Sequence, residues 1–568
     1  MTQMSGADAL VRMLQLNGVK HIFGLCGDTT LPLYDALARL DHGIDHILTR
    51  DERSAAYMAD AYARVTGKPG VCEGPSGGGA TYLLPGIVEA NESAIPVLGI
   101  TSDVSVGARG KFPLTELDQQ ALYQPLTKWN TTIDRVDQIP HAVRSAFRAM
   151  TTGRPGATHI CLPYDVQKHT LEAADVWAQP GHDSFPAYRF APDPQEVERA
   201  ADKLAAARAP VIVCGGGVVI SGASDELARL ATLLNAPVCT TISGQGSLPG
   251  AHPLLAGVIG TNGGVAATRE VIAQADTVLF VGARAGSTTT EHWKMPSREV
   301  TLLHLDVDPM TIATNYRTDV ALVGDAKLGL AALADAVAAR TGDRVRQRPA
   351  GVADGRALVA RARAEKYAFF SQLAASREQP IRPECVVDAL NKLLPAGAIV
   401  VADPGTPCPY FSAYFDAPQS GRHFITNRAH GALGFSMSAG VGAQFGRPDA
   451  MVAAVMGDGS FGFTCGELET IVRRGVPLKM IVFSNSVFGW IKASQKTGYD
   501  KRYFSVDFNR TDHARVAEAF GVKAWRVEDP ADVYGALKAA LAHDGPALVD
   551  VLCQELQDTA VPVSQWMG

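Results

Sequence analysis

Short, wholly apolar runs alternate with stretches of helical periodicity along most of the chain. In the first third the runs are His21-Ile22-Phe23, Val97-Leu98-Gly99-Ile100 and His159-Ile160-Cys161-Leu162. In the middle they are Val211-Ile212-Val213, Thr277 to Val281 and Val300 to Leu305. In the last third they are Ala398 to Val401, Met451 to Val455, Lys479 to Phe483 and Ala547 to Leu552. Continuous runs of this length, without polar alternation, predict parallel strands covered on both faces. Strands alternating with helices predict an α/β chain of three doubly wound parallel-sheet domains. The blocks are predicted at residues 1–175, 190–340 and 375–560. A polar, proline-containing linker over Gln179–Asp193 separates the first two, and a charged segment, Arg340–Arg363, follows the second.

The bulk properties narrow the function. A length of 568 residues suits several domains. With 46% apolar and 19% charged residues, the composition is that of an ordinary globular protein. A formal net charge of −6 and the lack of a long basic run argue against nucleic acid as partner. Met1–Gly18 lacks the basic start and apolar core of a signal peptide. No uninterrupted apolar stretch approaches the ~18 residues that would predict a membrane span. The nine cysteines are scattered singly, several in apolar segments, which predicts buried thiols and a cytoplasmic location.

In doubly wound sheets ligands gather beyond the carboxyl ends of strands, so chemistry is sought there. The strand ending at Met456 runs into Gly457-Asp458-Gly459-Ser460, and the strand ending at Phe483 runs into Ser484-Asn485. A helix is predicted between them, over Cys465–Arg474. If the strands are neighbours, Asp458 and Asn485, 27 residues apart, emerge at one sheet edge about one strand spacing (~5 Å) apart. A carboxylate and an amide oxygen there make a hard-oxygen site suited to Mg2+ with phosphate oxygens and water. Gly457 and Gly459 permit close backbone approach, and a following helix N-terminus favours an anion. Gly457-Asp458-Gly459 alone reads equally as a tight turn with Asp458 as helix cap, and the pairing with Asn485 argues against that reading.

A second feature is Glu52, where the strand Ile47-Leu48-Thr49 meets the small-residue helix Ser54–Arg64. Alone, it reads as a carboxylate favoured by the helix dipole. A third is Gly431-Ala432-Leu433-Gly434-Phe435, where Leu433 alone reads as a core leucine.

Taken together these segments resemble the thiamine-diphosphate enzymes, over nearly the whole chain and in the order pyrimidine-binding, central and diphosphate-binding domain. The layout is similar to acetolactate synthase catalytic subunits and their relatives. The resemblance implies that Asp458, Asn485 and a backbone carbonyl near Val487 bind Mg2+. It implies diphosphate contacts at Gly405, Thr406, Gly457, Gly459 and Ser460. Glu52 corresponds to the acid that bonds the aminopyrimidine and promotes C2 deprotonation, a task that needs burial. Leu433 corresponds to the wedge that bends the cofactor, and Gly431 to the carbonyl facing its amino group. The Gly77-Gly78-Gly79 run is placed near the pyrimidine ring. The family also builds its site across two subunits, which implies a homodimer or homotetramer with active sites at the interface.

The reacting end departs from biosynthetic acetolactate synthases. Asp28 stands where those enzymes carry glycine, and Thr115-Glu116 where many relatives carry Gln-Glu. Gly78 and Tyr82 replace a common proline and asparagine. Asp28 resembles the proton-transfer acid of simple decarboxylases, and His430 is a candidate relay near neutral pH. The expected activity is cleavage or formation of a C–C bond on a small 2-oxoacid or related carbonyl compound, as decarboxylase or carboligase. The alternatives are a 2-hydroxyacyl-CoA or diketone lyase and, from another class, an inactive regulatory relative. A nicotinamide dehydrogenase is disfavoured by the lack of a complete Gly-x-Gly-x-x-Gly after the first strand. Specificity is assigned to side chains such as Leu25, Asp28, Thr115, His430, Trp490 and the final segment Thr559–Gly568. In the central block, Cys214–Gly217, Gly282–Ser287, Asp306 and Asp308 stand where relatives hold FAD or ADP, although Arg284–Ser287 lacks the paired aspartates of the flavin motif.

Overall fold

The computed structural model describes residues 3–342 and 344–559. Three six-stranded sheets carry the fold, all parallel, with a small antiparallel ribbon joining Gln3–Ser5 to Thr170–Glu172. The first sheet holds β1 (His21–Gly24), β2 (Asp45–Leu48), β3 (Gly70–Gly74), β4 (Val97–Asp103), β5 (Trp129–Thr132) and β6 (Thr158–Pro163). Its order is β2-β1-β3-β4-β6-β5. The central sheet holds β7 (Pro210–Cys214), β8 (Val238–Thr240), β9 (Leu255–Val258), β10 (Thr277–Val281), β11 (Thr301–Asp306) and β12 (Val320–Val323). Its order is β9-β8-β7-β10-β11-β12. The last sheet holds β13 (Ile399–Ala402), β14 (Phe424–Thr426), β15 (Val452–Gly457), β16 (Lys479–Ser484), β17 (Lys523–Val527) and β18 (Ala547–Leu552). Its order is β14-β13-β15-β16-β18-β17, which repeats the topology of the first sheet. The central sheet instead has the 3-2-1-4-5-6 order of dinucleotide-binding folds. The apolar runs read from the sequence are the strands, and nearly every residue in them is buried.

In each sheet the connections reverse direction beside the first strand, leaving a crevice at the carboxyl edge. In the first sheet this is between β1 and β3, and in the last between β13 and β15. Residues that follow these strands are therefore brought to one edge by the topology alone.

The chain divides into two compact units that do not follow its three blocks. One comprises the residues up to Tyr188 together with Asn427–Asp449 and Phe463–Leu478. The other comprises Arg189–Thr426, Ala450–Gly462 and the chain from Lys479 onward. Within the second unit, one apolar cluster runs from Val211 and Phe280 through Val400, Val455 and Phe483 to Val549, so the central and last sheets share a core.

The first unit gains the helix Ser436–Gly446 through small residues. That helix crosses Glu52–Thr66, which carries Ser54, Ala55, Ala59 and Ala63. The Ser438 hydroxyl donates to Ser54 Oγ at 3.0 Å, and any Cβ at Gly442 would overlap the carbonyl of Met58. The predicted helix over Cys465–Arg474 forms over Glu467–Arg473, and a further helix, Asp458–Thr464, begins directly at the end of β15. No helix among the described residues is long and apolar enough to cross a membrane.

Candidate functional site

The second unit gathers the diphosphate-type residues. β15 and β16 are parallel neighbours, with Gly457 paired to Phe483. Asp458 and Asn485 therefore leave adjacent strands at one edge. Asp458 is buried, and its Oδ2 accepts from the amides of Asn485 at 2.8 Å and Ser486 at 2.6 Å. Its Oδ1 accepts from the Gly459 amide at 2.9 Å. Burial pushes this carboxyl up, and the Ser486 and Asn485 amides pull it back. Ser486 takes a left-handed φ of 58°, which turns the chain sharply after Asn485. Val487 is buried and bridges to Asp507.

Two glycines show how closely the backbone is drawn in. A Cβ at Gly459 would lie 2.8 Å from the Phe488 ring. One at Gly489 would lie 3.1 Å from Thr406 Oγ1 and 3.5 Å from Asn485 Nδ2. Thr406, which follows β13, is thus brought to the same place as Asn485. Gly405, Gly457 and Ser460 lie at the same carboxyl edge. The Asn485 Nδ2 is buried and has no partner among the described residues. Carboxylate, amide and carbonyl oxygens at one edge, beside an unsatisfied buried amide, suit a hard cation and an anionic ligand.

The first unit gathers the others. Glu52 opens the helix Glu52–Thr66, behind the N-cap Asp51, whose side chain accepts from the Arg53 amide. Glu52 is only 6% exposed. Burial pushes its carboxyl up, its own backbone amide pulls it back, and Asp51 and Glu73 add to the rise. The direction is the one expected of a buried acid–base group. The Gly77–Gly79 run gives Glu52 room: a Cβ at Gly79 would lie 3.0 Å from Glu52 Oε1, and one at Gly74 3.3 Å from its Cγ.

Asp28 is exposed at the start of a short 3-10 turn after β1. Next to it, Thr29 Oγ1 bonds to Ser76 and Ser102. Ser76 in turn holds Thr115 at 2.7 Å, which fixes the segment carrying Thr115 at a left-handed φ of 71°. His430 is exposed, while its backbone amide donates to Glu89 Oε2 at 2.7 Å. Glu89 is buried and paired with Arg64. Gly431 has φ 77°, and Leu433 is half-buried. The Asn427 amide donates to the Ala432 carbonyl at 2.6 Å, closing the turn that carries Leu433. Leu25 is half-buried and Tyr82 exposed in this unit, and Trp490 is half-buried in the other. Of the final segment, residues 560–568 lie outside the described residues.

Two acids of the first unit escaped the reading of the sequence. Glu89 lies inside a helix where its burial carries no local signal. Glu73 does carry one, as a lone charged residue in the apolar run Val71-Cys72-Glu73-Gly74.

In the central sheet the glycines answer to packing. Cβ atoms at Gly215 and Gly217 would collide with Ala283 and Gly282. Asp306 and Asp308 cap their own turn, accepting from the amides of Asp308 and Met310. A cavity in this block, lined by Phe280, Arg284, His304 and Tyr316, measures about 10 Å³, room for roughly one water molecule.

Comparison with known proteins agrees with this layout along the whole chain. The family description "Thiamine pyrophosphate enzyme, N-terminal TPP binding domain" matches residues 4–122. The corresponding central domain matches 197–333, and the C-terminal TPP binding domain 403–551. A "probable acetolactate synthase large subunit" of Methanocaldococcus jannaschii is 35% identical, over 97% of this chain and 92% of its own length. Its counterpart in Methanococcus aeolicus is 34% identical over 96% and 92%. An "acetolactate synthase" of Mycobacterium bovis is 31% identical over 97% and 88%. The chain therefore belongs to the thiamine pyrophosphate enzymes, and it is similar throughout its length to acetolactate synthase large subunits.

Proposed function

We propose that this enzyme makes or breaks a C–C bond beside the carbonyl of a small 2-oxoacid, as a decarboxylase or carboligase of the acetolactate synthase type. The observation that carries the reading is the meeting of Asp458, Asn485 and Thr406 at one sheet edge, with Asn485 Nδ2 buried and without a partner among the described residues. In this reading the Asp458 carboxylate, the Asn485 amide oxygen and the Val487 carbonyl hold Mg2+. Gly405, Thr406, Gly457, Gly459 and Ser460 receive the diphosphate. When bound, thiamine diphosphate supplies a nucleophilic carbon and an electron sink for the bond next to the carbonyl.

The chain's own residues orient that group and move protons. Glu52 exchanges a proton with the pyrimidine, and its burial favours the protonated form that the exchange requires. Leu433 and the Gly431 carbonyl fix the shape of the bound group, which is catalysis by proximity. Asp28 and His430 relay protons to the reacting substrate. Their loops are held by Thr29–Ser76 and by Glu89, so both side chains are free to face a ligand.

The active form in this reading is a homodimer or homotetramer with sites at the subunit interface. Each unit presents apolar surface that supports such an assembly. In the first, Phe112 and Leu114 are 97% and 89% exposed, and in the second Phe504 is 83% exposed, near Tyr499 and Ile491. FAD or ADP in the central sheet has only position in its favour, because the glycines and aspartates there serve packing and turns. A cytoplasmic location fits nine cysteines that are all free.

The test is incubation with thiamine diphosphate, Mg2+ and a panel of 2-oxoacids, diketones and 2-hydroxyacyl-CoAs, scoring CO2, aldehydes and coupled products. Release of CO2 from a 2-oxoacid, with or without coupling, is expected. Turnover confined to diketones or acyl-CoAs would move the assignment to a lyase, and a yellow protein would place flavin in the central sheet.

A further inference from the structure

Ser484, the last residue of β16, is tied to a buried acid on the neighbouring strand. Its hydroxyl donates to Asp550 of β18, and His513 Nδ1 stands 2.9 Å from the same hydroxyl oxygen. Asp550 is in register with Val482 of β16 and Arg526 of β17, so Asp550, Arg526 and Ser484 project from one face of the last sheet. Asp550 is 0% exposed. Burying such a charge is costly without partners. Three groups supply them: the Ser484 hydroxyl, the His513 backbone amide at 3.1 Å and the Arg526 guanidinium at 3.1 Å. A hydroxyl has a single proton. Because Ser484 gives its proton to Asp550, His513 Nδ1 carries one of its own and donates it to Ser484.

This set of polar groups touches both segments that lead into the candidate metal site. The Phe461 ring, three residues beyond Asp458, packs edge-on against His513 with centroids 5.1 Å apart. Ser484 is followed directly by Asn485. His513 therefore meets the chain leaving Asp458 and the strand that ends before Asn485. Asn485 itself is held from both sides. Before it, the Ser484 hydroxyl is bound to Asp550 and His513, and the Ser484 carbonyl accepts from the Cys553 amide at 2.9 Å. After it, the Ser486 amide is drawn onto Asp458 together with the amide of Asn485. The backbone that presents the Asn485 side chain is thus fixed at both ends. An apolar set of the same shape would fill this space without the desolvation cost of Asp550, so directional bonds to Ser484 are what the polar set adds.

We propose that Asp550 and His513 are positioning residues for the metal ligand Asn485, acting through the Ser484 hydroxyl. The proposal rests on the assignment of Asp458 and Asn485 as ligands of Mg2+. Asp550 holds the hydroxyl from the neighbouring strand, and His513 holds it from the start of the helix His513–Ala519. Two bonds in different directions fix the hydroxyl, and with it the strand end from which Asn485 projects. Loss of a group that orients a ligand in this way weakens metal binding by about 10- to 100-fold.

The experiment titrates Mg2+ into the whole chain at a fixed concentration of thiamine diphosphate, followed by intrinsic fluorescence, and measures the melting temperature without metal. The proteins are the wild type, Ser484→Ala, His513→Leu and Val549→Ala. Val549 is the buried neighbour of Asp550 in β18, and its side chain lies on the opposite face of the sheet. Val549→Ala therefore lowers the melting temperature without touching the hydroxyl. The Mg2+ concentration at half-saturation is expected to rise about 10-fold in Ser484→Ala and His513→Leu, and to stay at the wild-type value in Val549→Ala. Should His513→Leu fail to fold, Ser484→Ala decides alone. A wild-type half-saturation in Ser484→Ala would overturn the proposal. A rise in Val549→Ala as large as in Ser484→Ala would also overturn it, because lost stability alone would then account for the effect. Thiamine diphosphate binding that shows no Mg2+ dependence in the wild type would instead overturn the assignment of Asp458 and Asn485 on which the proposal rests.

Discussion

Replacing Glu384 by glutamine should stabilise the protein at pH 8 and leave it unchanged at pH 5. Glu384 sits in the first turn of the helix Pro383–Leu393, is 0% exposed, and neither carboxylate oxygen has a partner among the described residues. Burial pushes its carboxyl from about 4.5 up to about 7. Its own helix amide and Arg382 pull it back, while Glu378 adds to the rise. The folded protein therefore binds a proton here that the unfolded chain has already lost. The stabilising contribution is fully present below about pH 4.5 and is lost as the pH rises through about 7. Over that window the loss amounts to about 3 kcal/mol. The glutamine side chain keeps the shape and has no charge to bury. Melting temperatures of the two proteins, followed from pH 5 to pH 8, should coincide at the acid end and separate in favour of Glu384→Gln at the alkaline end. Because the central and last sheets share one core, the cooperative unit is large, and ~3 kcal/mol corresponds to roughly 4 °C. A gap that is constant with pH, or a wild type that is the more stable at pH 8, would show that Glu384 does not hold a proton in the folded protein.

Arg64→Met should cost about 3–5 kcal/mol, since it strips the cation from two fully buried carboxylates, Asp60 and Glu89. Because Glu89 also holds the amides of Ala429 and His430, the surviving folded enzyme should show a raised KM. A melting curve and a KM both equal to wild type would contradict this. Gly442→Val should destabilise the crossing of Ser436–Gly446 on Glu52–Thr66 by about 1–3 kcal/mol, because the added carbons meet the Met58 carbonyl. A hydrogen-exchange experiment showing unchanged protection in both helices would refute it.

The parts of the fold legible in the sequence are those set by local patterning. Unbroken apolar runs gave the strands, and Gly457-Asp458-Gly459 with Asn485 gave one sheet edge, because neighbouring parallel strands bring their carboxyl ends together. Glu52 was legible as a carboxylate at a strand–helix junction. The close crossing of two helices was not, since serine and glycine at Ser438 and Gly442 lower helix propensity and pack only when a partner surface is present. Glu384 and Glu73 were missed for a related reason. An acid is read as exposed by default, and only the surrounding fold shows that Gly24 makes room for Glu73 and that no partner among the described residues meets Glu384. At Gly215 and Gly217 the sequence shows a glycine-rich turn, and only the fold shows how closely Gly282 and Ala283 pack against it.

We propose that Asp458 and Asn485 anchor a metal-bound diphosphate and that Glu52 is the activating acid. This is tested most directly by titrating thiamine diphosphate into the wild type, Asp458→Ala, Asn485→Ala and Glu52→Gln, with Mg2+ or with EDTA, and measuring affinity by fluorescence. Mg2+-dependent binding is expected in the wild type and Glu52→Gln. Affinity is expected to weaken by about 10-fold or more in Asp458→Ala and Asn485→Ala, equivalent to ~1.4 kcal/mol or more. Wild-type affinity in Asp458→Ala, or tight binding that persists in EDTA, would contradict it.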